Sequence, residues 1–167
     1  MIKTFNSLFV TMLGLGKIKF IPGTFGSLAT TIVLYYLFHI LNISPNIILI
    51  GLIIILFYSF YAISSHIENS ENKDPGEVII DEFLGQSIPI YLYEITHGAT
   101  KETSETIVYY FLFFILFRYF DIMKPFPVNF FDKNFKNSFG VIMDDICAGF
   151  YVVLTLICFM IVKNYVL

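Results

Sequence analysis

The sequence predicts an all-α membrane protein, a single domain over residues 1–167 with about five membrane-embedded helices. Hydrophobic residues make up 57% of the chain and charged residues 14%, against roughly 45–50% and about 25% in soluble domains. A domain of this length cannot bury so much apolar surface, so part of it must face lipid or a partner. The same composition excludes a disordered chain, a disulfide-stapled secreted domain and a basic nucleic-acid-binding protein.

Five apolar runs follow one another along the chain. They cover residues 28–43, 47–67, 83–93, 107–120 and 146–162. The second run has about twenty uncharged residues and is long enough to span a bilayer, whereas the first, fourth and fifth are marginal in length. The N-terminal segment, residues 1–15, resembles a signal peptide, but Lys17 and Lys19 follow it without a small-residue cleavage site. We therefore expect this segment to be retained.

The third run is short for a membrane crossing and contains Pro89. Its eleven residues would cover only ~16 Å of a hydrocarbon layer roughly 30 Å thick. To cross, the helix must extend back through residues 78–82 and forward towards Thr96, which brings Asp81 and Glu82 to the membrane edge. We predict a short, bent helix that crosses. The alternative is a six-helix bundle that is sunk only part-way into the bilayer.

The positive-inside rule favours one orientation for these five crossings. With the N-terminus in the cytoplasm, eight of the ten basic residues lie on or near the inner side, and the reverse orientation would place only two there. The eight are Lys3, Lys17, Lys19, Lys73, Arg118, Lys124, Lys133 and Lys136. The same inner face collects the polar clusters 22–27, 74–82, 118–124 and 144–145, whereas the outer loops hold only scattered acids.

Two acidic pairs, Asp81-Glu82 and Asp144-Asp145, are expected to begin helices. Glycine follows Asp81 and Asp145 at a spacing of four residues, which would let the two helices approach closely. Four crowded carboxylates repel one another unless a cation intervenes. An all-oxygen cluster suits Mg²⁺. The alternative is that these acids only complement the positive ends of helix dipoles.

Arg118, Asp121 and Lys124 follow one another at three-residue steps across the end of the fourth run. Arg118 and Asp121 share a helix face and could form a simple ion pair. Lys124 lies where two prolines stop the helix. This position suits a phosphate-binding ammonium group, although a lipid-headgroup anchor is equally compatible with it.

The glycine-rich segment 22–27 precedes the first run, and Ser27 is its expected N-cap. Backbone N–H groups at such a turn attract phosphate. The segment lacks the Lys-Ser/Thr ending of a P-loop, so nucleotide hydrolysis is not supported.

The histidines and cysteines carry weaker signals. His66 lies nearest the acidic cluster and could assist proton transfer, whereas His39 and His97 are expected to be structural. Cys147 and Cys158 fall in one apolar run, roughly 16 Å apart if it is helical. We expect both to be buried thiols without a disulfide.

Four segments resemble motifs of the phosphatidylglycerophosphatase A family. They are residues 21–27 (IPGTFGS), 74–85 (DPGEVIIDEFLG), 117–127 (FRYFDIMKPFP) and 140–149 (GVIMDDICAG). They occur in the family order and extend over roughly residues 17–150. Phe25 and Phe126 stand where the family often has Trp, and no charged motif residue is missing.

The resemblance implies a Mg²⁺-dependent phosphatase of the bacterial inner membrane, with its active site facing the cytoplasm. Such an enzyme hydrolyses phosphatidylglycerol phosphate to phosphatidylglycerol and inorganic phosphate. Metal binding would fall to Asp81, Glu82, Asp121, Asp144 and Asp145. Phosphate binding would fall to Thr24, Gly26, Ser27, Arg118 and Lys124. Asp81, Asp121, Lys124 and Asp145 would be catalytic, with either water or an aspartate as the attacking group.

Two other functions stay open. A phosphatase of the same family could act on another lipid phosphate, such as phosphatidic acid. A small transporter or ion-binding membrane protein would place its acids near the midplane of spanning helices. The acids of this chain are predicted at one interface, which argues against transport.

Overall fold

A computed structural model describes residues 2–68, 70, 72, 74–97 and 103–166. Within these residues the chain forms seven α-helices and no strand, which confirms the predicted all-α fold. The helices are α1 (Ile2–Val10), α2 (Pro22–Tyr35), α3 (Pro45–Ile67), α4 (Ile80–His97), α5 (Thr103–Met123), α6 (Val128–Asn134) and α7 (Ser138–Val166). A 3₁₀ turn at Leu15–Lys17 precedes α2, and a π-helical turn at Tyr36–Ile40 prolongs it.

Four helices are long and apolar enough to cross a membrane. These segments are Pro22–Ile40, Pro45–Ile67, Ser104–Met123 and Ser138–Val162. They correspond to the first, second, fourth and fifth apolar runs of the sequence. Large apolar side chains such as Ile32, Ile54 and Phe159 are exposed on their outer faces. A helical bundle with such a surface is suited to lipid rather than water.

Helix α4 is the central helix of the bundle, since it packs against α2, α3, α5 and α7. It covers Ile80–His97 and continues through Pro89, so it extends beyond the apolar run in both directions, as expected. Its buried face includes Gln86 and Ser87 as well as Leu84 and Ile90. Because its neighbours surround it, α4 does not need an apolar outer face. That α4 crosses the membrane stays a prediction.

Two hydrophobic clusters hold the helices around α4. One joins α2, α4, α5 and α7 through Leu34, Ile90, Phe113, Phe117 and Val152. The other joins α1, α3, α4 and α7, with Val10, Ile63, Leu84 and Ile142 at its centre. The first turn of α4 belongs to the second cluster through Ile80, and α4 as a whole also packs against α2, α5 and α7.

Three local predictions were wrong. Helix α7 begins at Ser138, so Asp144 and Asp145 lie inside it rather than at its start. The cause is Asn137, whose side-chain oxygen accepts hydrogen bonds from the N–H groups of Phe139 and Gly140, as an N-cap does. Ser27 is likewise not an N-cap, because α2 already begins at Pro22.

The third wrong prediction concerns the cysteines. Cys158 is exposed on the outer face of α7, whereas Cys147 is partly buried. Both thiols are free, as expected. An exposed position suits Cys158 here because the last turns of α7 lie among other exposed apolar residues, such as Phe159 and Ile161.

Candidate active site

Helices α4 and α7 cross at two glycines. A Cβ atom at Gly85 would lie 2.5 Å from the carbonyl oxygen of Asp145, and a Cβ atom at Gly149 would collide with the carbonyl oxygen of Gly85. Only glycine allows backbones to approach this closely. The predicted close approach of the two helices is confirmed. It brings the first turn of α4, with Asp81 and Glu82, beside Asp145.

Three carboxylates meet at this crossing. Asp81, Glu82 and Asp145 each contribute one oxygen, and these oxygens all lie within 4.8 Å of one another. Asp81 and Asp145 are buried. Asp81 Oδ1, Glu82 Oε2 and Asp145 Oδ1 are all buried without a hydrogen-bond partner among the described residues. Buried, unpaired carboxylate oxygens are costly unless a ligand binds them.

The surroundings of this carboxylate triad (Asp81, Glu82 and Asp145) oppose negative charge. Burial, followed by the neighbouring charge of Glu82, raises the pKa of Asp81 well above its ordinary value. Burial also raises the pKa of Glu82 to about 7. A cation between the carboxylates would reverse both effects. Three convergent oxygens with free lone pairs fit Mg²⁺, which prefers oxygen ligands.

Arg118 lies next to the triad. Its Nη1 atom is 2.6 Å from Asp121 Oδ2 and 3.9 Å from Glu82 Oε1, and it donates a long hydrogen bond of 3.5 Å to Ser27 Oγ. The predicted pair between Arg118 and Asp121 is confirmed. Gly23 completes the contact, because a side chain there would collide with Glu82 and press on Arg118.

Lys124 follows the last residue of α5 and has a positive φ of 44°. Its Nζ atom lies 2.9 Å from Asp144 Oδ2 and 3.0 Å from Asp132 Oδ1. Burial lowers the pKa of Lys124, but the charges of Asp144 and Asp132 outweigh it and raise that pKa above its ordinary value. Lys124 is therefore a fixed cation, held between α6 and α7.

The five predicted metal ligands fall into two groups. Asp81, Glu82 and Asp145 form the triad, whereas Asp121 is paired with Arg118 and Asp144 with Lys124. Asp144 also accepts a hydrogen bond of 3.0 Å from the N–H of Asp145. In this arrangement Asp121 and Asp144 orient cations beside the triad.

The predicted phosphate-binding residues of α2 do not all lie at the candidate site. Ser27 contacts Arg118, and its own hydroxyl donates to the carbonyl of Gly23 at 2.8 Å. Thr24 is half-buried in the first turn of the helix. Gly26 instead packs against Ile79, whose Cβ would lie 3.1 Å from a Cβ at that position. Ser27 therefore lies at the candidate site, whereas Gly26 forms a packing contact between α2 and Ile79.

Sequence reasoning missed several residues of this site. Gly23 lies within the recognised glycine-rich segment, so that motif was the available signal. Asp132 is on α6, a short helix without an apolar run, and its pairing with Lys124 has no sequence pattern. Asp132, Lys136 and Asp144 line a shallow cleft next to Lys124 together with Asp74. Gln86, one turn after Glu82, has both amide atoms buried without a partner among the described residues.

The histidines lie apart from the triad. His66 Nε2 is 2.9 Å from Glu77 Oε1, in the segment that leads into α4. His39 Nε2 is 3.0 Å from Glu94 Oε1, at the other end of α4. His97 is the last residue of α4 and lies 2.6 Å from Thr96 Oγ1. A role of His66 in proton transfer stays a prediction.

Comparison with known proteins assigns the family. Residues 8–160 match the phosphatidylglycerophosphatase A family. Over 146 residues the chain is 34% identical to a phosphatidylglycerophosphatase A of Haemophilus influenzae, covering 84% of this chain and 80% of that protein. It is 28% identical over 138 residues to the Escherichia coli phosphatidylglycerophosphatase A, with 81% and 72% covered.

A third relative carries a different name. A Bacteroides thetaiotaomicron protein, provisionally named a phosphatidylinositol-3-phosphatase, is 34% identical over 143 residues, with 84% of each chain covered. No solved structure matches this chain. The family match covers all four motifs and every residue of the carboxylate triad. The chain therefore belongs to the phosphatidylglycerophosphatase A family and is a phosphatase.

Proposed function

We propose that this protein hydrolyses phosphatidylglycerol phosphate to phosphatidylglycerol and inorganic phosphate, with Mg²⁺, at the bacterial inner membrane. The carboxylate triad carries the proposal. Its three buried oxygens have no partner among the described residues and lie beside Arg118, at one end of a bundle whose outer surface is apolar. This combination suits a lipid phosphate, whose phosphate group would bind at the ionic site while its acyl chains lie against the apolar outer surface.

Asp81, Glu82 and Asp145 would hold Mg²⁺. When bound, the ion supplies positive charge that stabilises the phosphoryl group as its negative charge develops. An excess of acidic residues at the site supports this assignment, because among the residues that the structure describes seven carboxyl groups (the five predicted ligands with Asp74 and Asp132) lie there against three cations, Arg118, Lys124 and Lys136. A phosphate dianion could not approach such a site without a further cation.

Arg118 and Lys124 would bind the phosphate oxygens. Arg118 is partly buried beside Glu82, and Asp121 fixes its guanidinium group at 2.6 Å, so its donors are oriented before substrate arrives. Lys124 is held by Asp132 and Asp144 in a charged state. Fixed cations stabilise a transition state better than mobile ones because no reorganisation is needed.

The site is expected to face the cytoplasm. The support for this orientation is the distribution of basic residues along the sequence, eight of which are predicted on or near the inner side. Arg118, Lys124 and Lys136 of this set lie at or beside the candidate site.

A second substrate class deserves a test. The Bacteroides relative is named for a phosphoinositide substrate, and the residues of the triad recognise phosphate rather than the remainder of a headgroup. A phosphatase of this family that acts on another lipid phosphate would retain the same ionic site.

The decisive experiment measures phosphate release by purified protein in detergent with Mg²⁺, then with EDTA. Phosphatidylglycerol phosphate, phosphatidic acid and phosphatidylinositol 3-phosphate serve as parallel substrates. We expect release from phosphatidylglycerol phosphate that EDTA abolishes. A preference for either of the other lipids would change the proposed substrate but not the proposed phosphate hydrolysis. Phosphate release that continues in EDTA would contradict the metal assignment.

Two variants locate the activity. Asp145→Asn removes a carboxylate from the triad, and Glu94→Gln makes the same chemical change at the other end of α4. Only Asp145→Asn should abolish release. Mg²⁺ should also raise the Tm of the wild type and of Glu94→Gln, because a ligand stabilises the state that binds it, and should not raise the Tm of Asp145→Asn.

A further inference from the structure

An apolar groove runs between α2 and α5 on the outer face of the bundle. The space within it that a water-sized molecule can reach is about 260 Å³, slightly below the range of typical ligand pockets. Its lining includes Leu28, Ile32, Tyr35, Tyr110, Phe111 and Phe114. Ile32 and Phe111 are 60% and 63% exposed.

One end of the groove adjoins the candidate active site. Leu28 follows Ser27 in the chain, and Ser27 Oγ accepts the hydrogen bond from Arg118. Phe114 lies four residues before Arg118, so both side chains occupy the same face of α5. Leu28 and Phe114, at this end of the groove lining, therefore lie next to the residues that are expected to bind phosphate.

The other end of the groove lies near a pair of tyrosines. Tyr35 lies seven residues beyond Leu28, about 10 Å farther along α2. Its ring packs edge-on against Tyr110 with 5.7 Å between the centroids. Tyr110 is held by Glu94, to which its hydroxyl donates at 3.0 Å. The groove thus extends from beside the ionic site to this tyrosine pair, beyond which Ile107 continues its lining on α5.

We propose that this groove holds an acyl chain of the lipid phosphate while its headgroup is at the carboxylate triad. The proposal rests on the proposed function, since it requires a lipid substrate. The position of Leu28 and Phe114 beside Ser27 and Arg118 favours a substrate chain over a bulk lipid, because a chain in the groove would place its own headgroup near the ionic site.

The groove would act mainly by positioning. Bilayer lipid is as apolar as the groove, so transfer of the chain from one to the other gives little affinity. A seated chain instead fixes where the phosphate lies relative to Arg118 and the triad. Misplacement by about 1 Å can cost up to about 10²-fold in rate.

The test fills the groove with Ile32→Trp and compares a long-chain substrate with a short-chain analogue whose chains end before the level of Ile32. We expect kcat for the long-chain substrate to fall at least about tenfold, with the short-chain analogue unaffected. Ile54→Trp is the matched control, because Ile54 is 63% exposed on α3, away from the groove. It should leave both substrates unaffected.

Independent labelling checks the location. A substrate analogue with a photoactivatable group in mid-chain should label α2 and α5 in the wild type and lose this labelling in Ile32→Trp. The groove proposal would be overturned if Ile32→Trp lowered the rate equally with both substrates or with neither. It would also be overturned if the label spread over all lipid-facing helices. Wild-type protein that hydrolyses no lipid phosphate would overturn the proposed function itself, and the groove proposal with it.

Discussion

The two ends of α4 make the most informative comparison in this molecule. At the first turn, Asp81 and Glu82 meet Asp145, and each of the three residues keeps a buried oxygen without a partner among the described residues. At the last turns, Glu94 is also buried, but its Oε1 contacts both His39 and Tyr110 at 3.0 Å. One helix therefore carries an open polar cluster at one end and a closed one at the other.

This difference distinguishes a candidate ligand-binding site from a purely structural contact between helices. A satisfied buried cluster holds helices together and has no remaining capacity for a ligand. An unsatisfied one carries a free-energy cost that a bound cation would offset. Burial and charge alone would not distinguish Glu82 from Glu94, whereas the accounting of hydrogen bonds does.

The largest expected effect comes from the open end. Asp145→Asn should lower phosphatase activity at least about 10³-fold, which corresponds to about 4 kcal/mol of transition-state stabilisation, while the helical circular dichroism spectrum stays unchanged. Activity close to the wild type would mean that the triad is not the site.

Lys124→Ala should have the next largest effect. Loss of a fixed cation beside a developing phosphate charge should lower kcat about 10²-fold, and Lys124→Arg should restore part of it. Lys133→Ala, which removes an exposed lysine from α6, controls for a general change in surface charge. If both alanine variants lose activity equally, Lys124 acts only through surface potential.

Gly85→Ala tests the helix crossing that assembles the open end. The new methyl group would lie 2.5 Å from the carbonyl oxygen of Asp145, so α4 and α7 must separate. We expect a loss of about 1–3 kcal/mol in stability and about tenfold in kcat. Gly51→Ala, in open space on α3, should instead leave activity unchanged in the same thermal unfolding and turnover assays.

The smallest effect on activity should come from the closed end. Glu94→Ala leaves His39 and Tyr110 without their acceptor, at a cost of about 1–3 kcal/mol, or roughly 2–9 °C in Tm. Phosphatase activity with a short-chain substrate should persist. A loss as large as that of Asp145→Asn would show that the two ends are not functionally distinct.

The sequence predicts the parts of this comparison that are local. The acidic pair Asp81-Glu82 ahead of an apolar run marks the start of α4 to within one residue, and the spacing of Gly85 from Asp81 predicts the close crossing with α7. Prolines after Lys124 mark the end of α5. Each of these depends on neighbours within a few residues, which a single sequence displays.

The non-local parts could not be predicted. His39 and Glu94 are 55 residues apart, and no spacing rule joins them. The division of five acids into three open and two paired ones depends on which cation lies opposite, as with Asp144 and Lys124. The apolar run 146–162 did not predict the start of α7, because the capping residue Asn137 lies outside it.

The central position of α4 bears on how the protein is made. Because α4 carries Asp81, Glu82 and Gln86 and is not among the four helices that are long and apolar enough to cross a membrane, it is a poor candidate for independent membrane insertion. The helices that pack around α4 include α5 and α7, which are synthesised after it. Because Asp145 lies on α7, the candidate site can form only after α7 has been synthesised, and α4 is expected to stay at the membrane surface or beside an insertase until then.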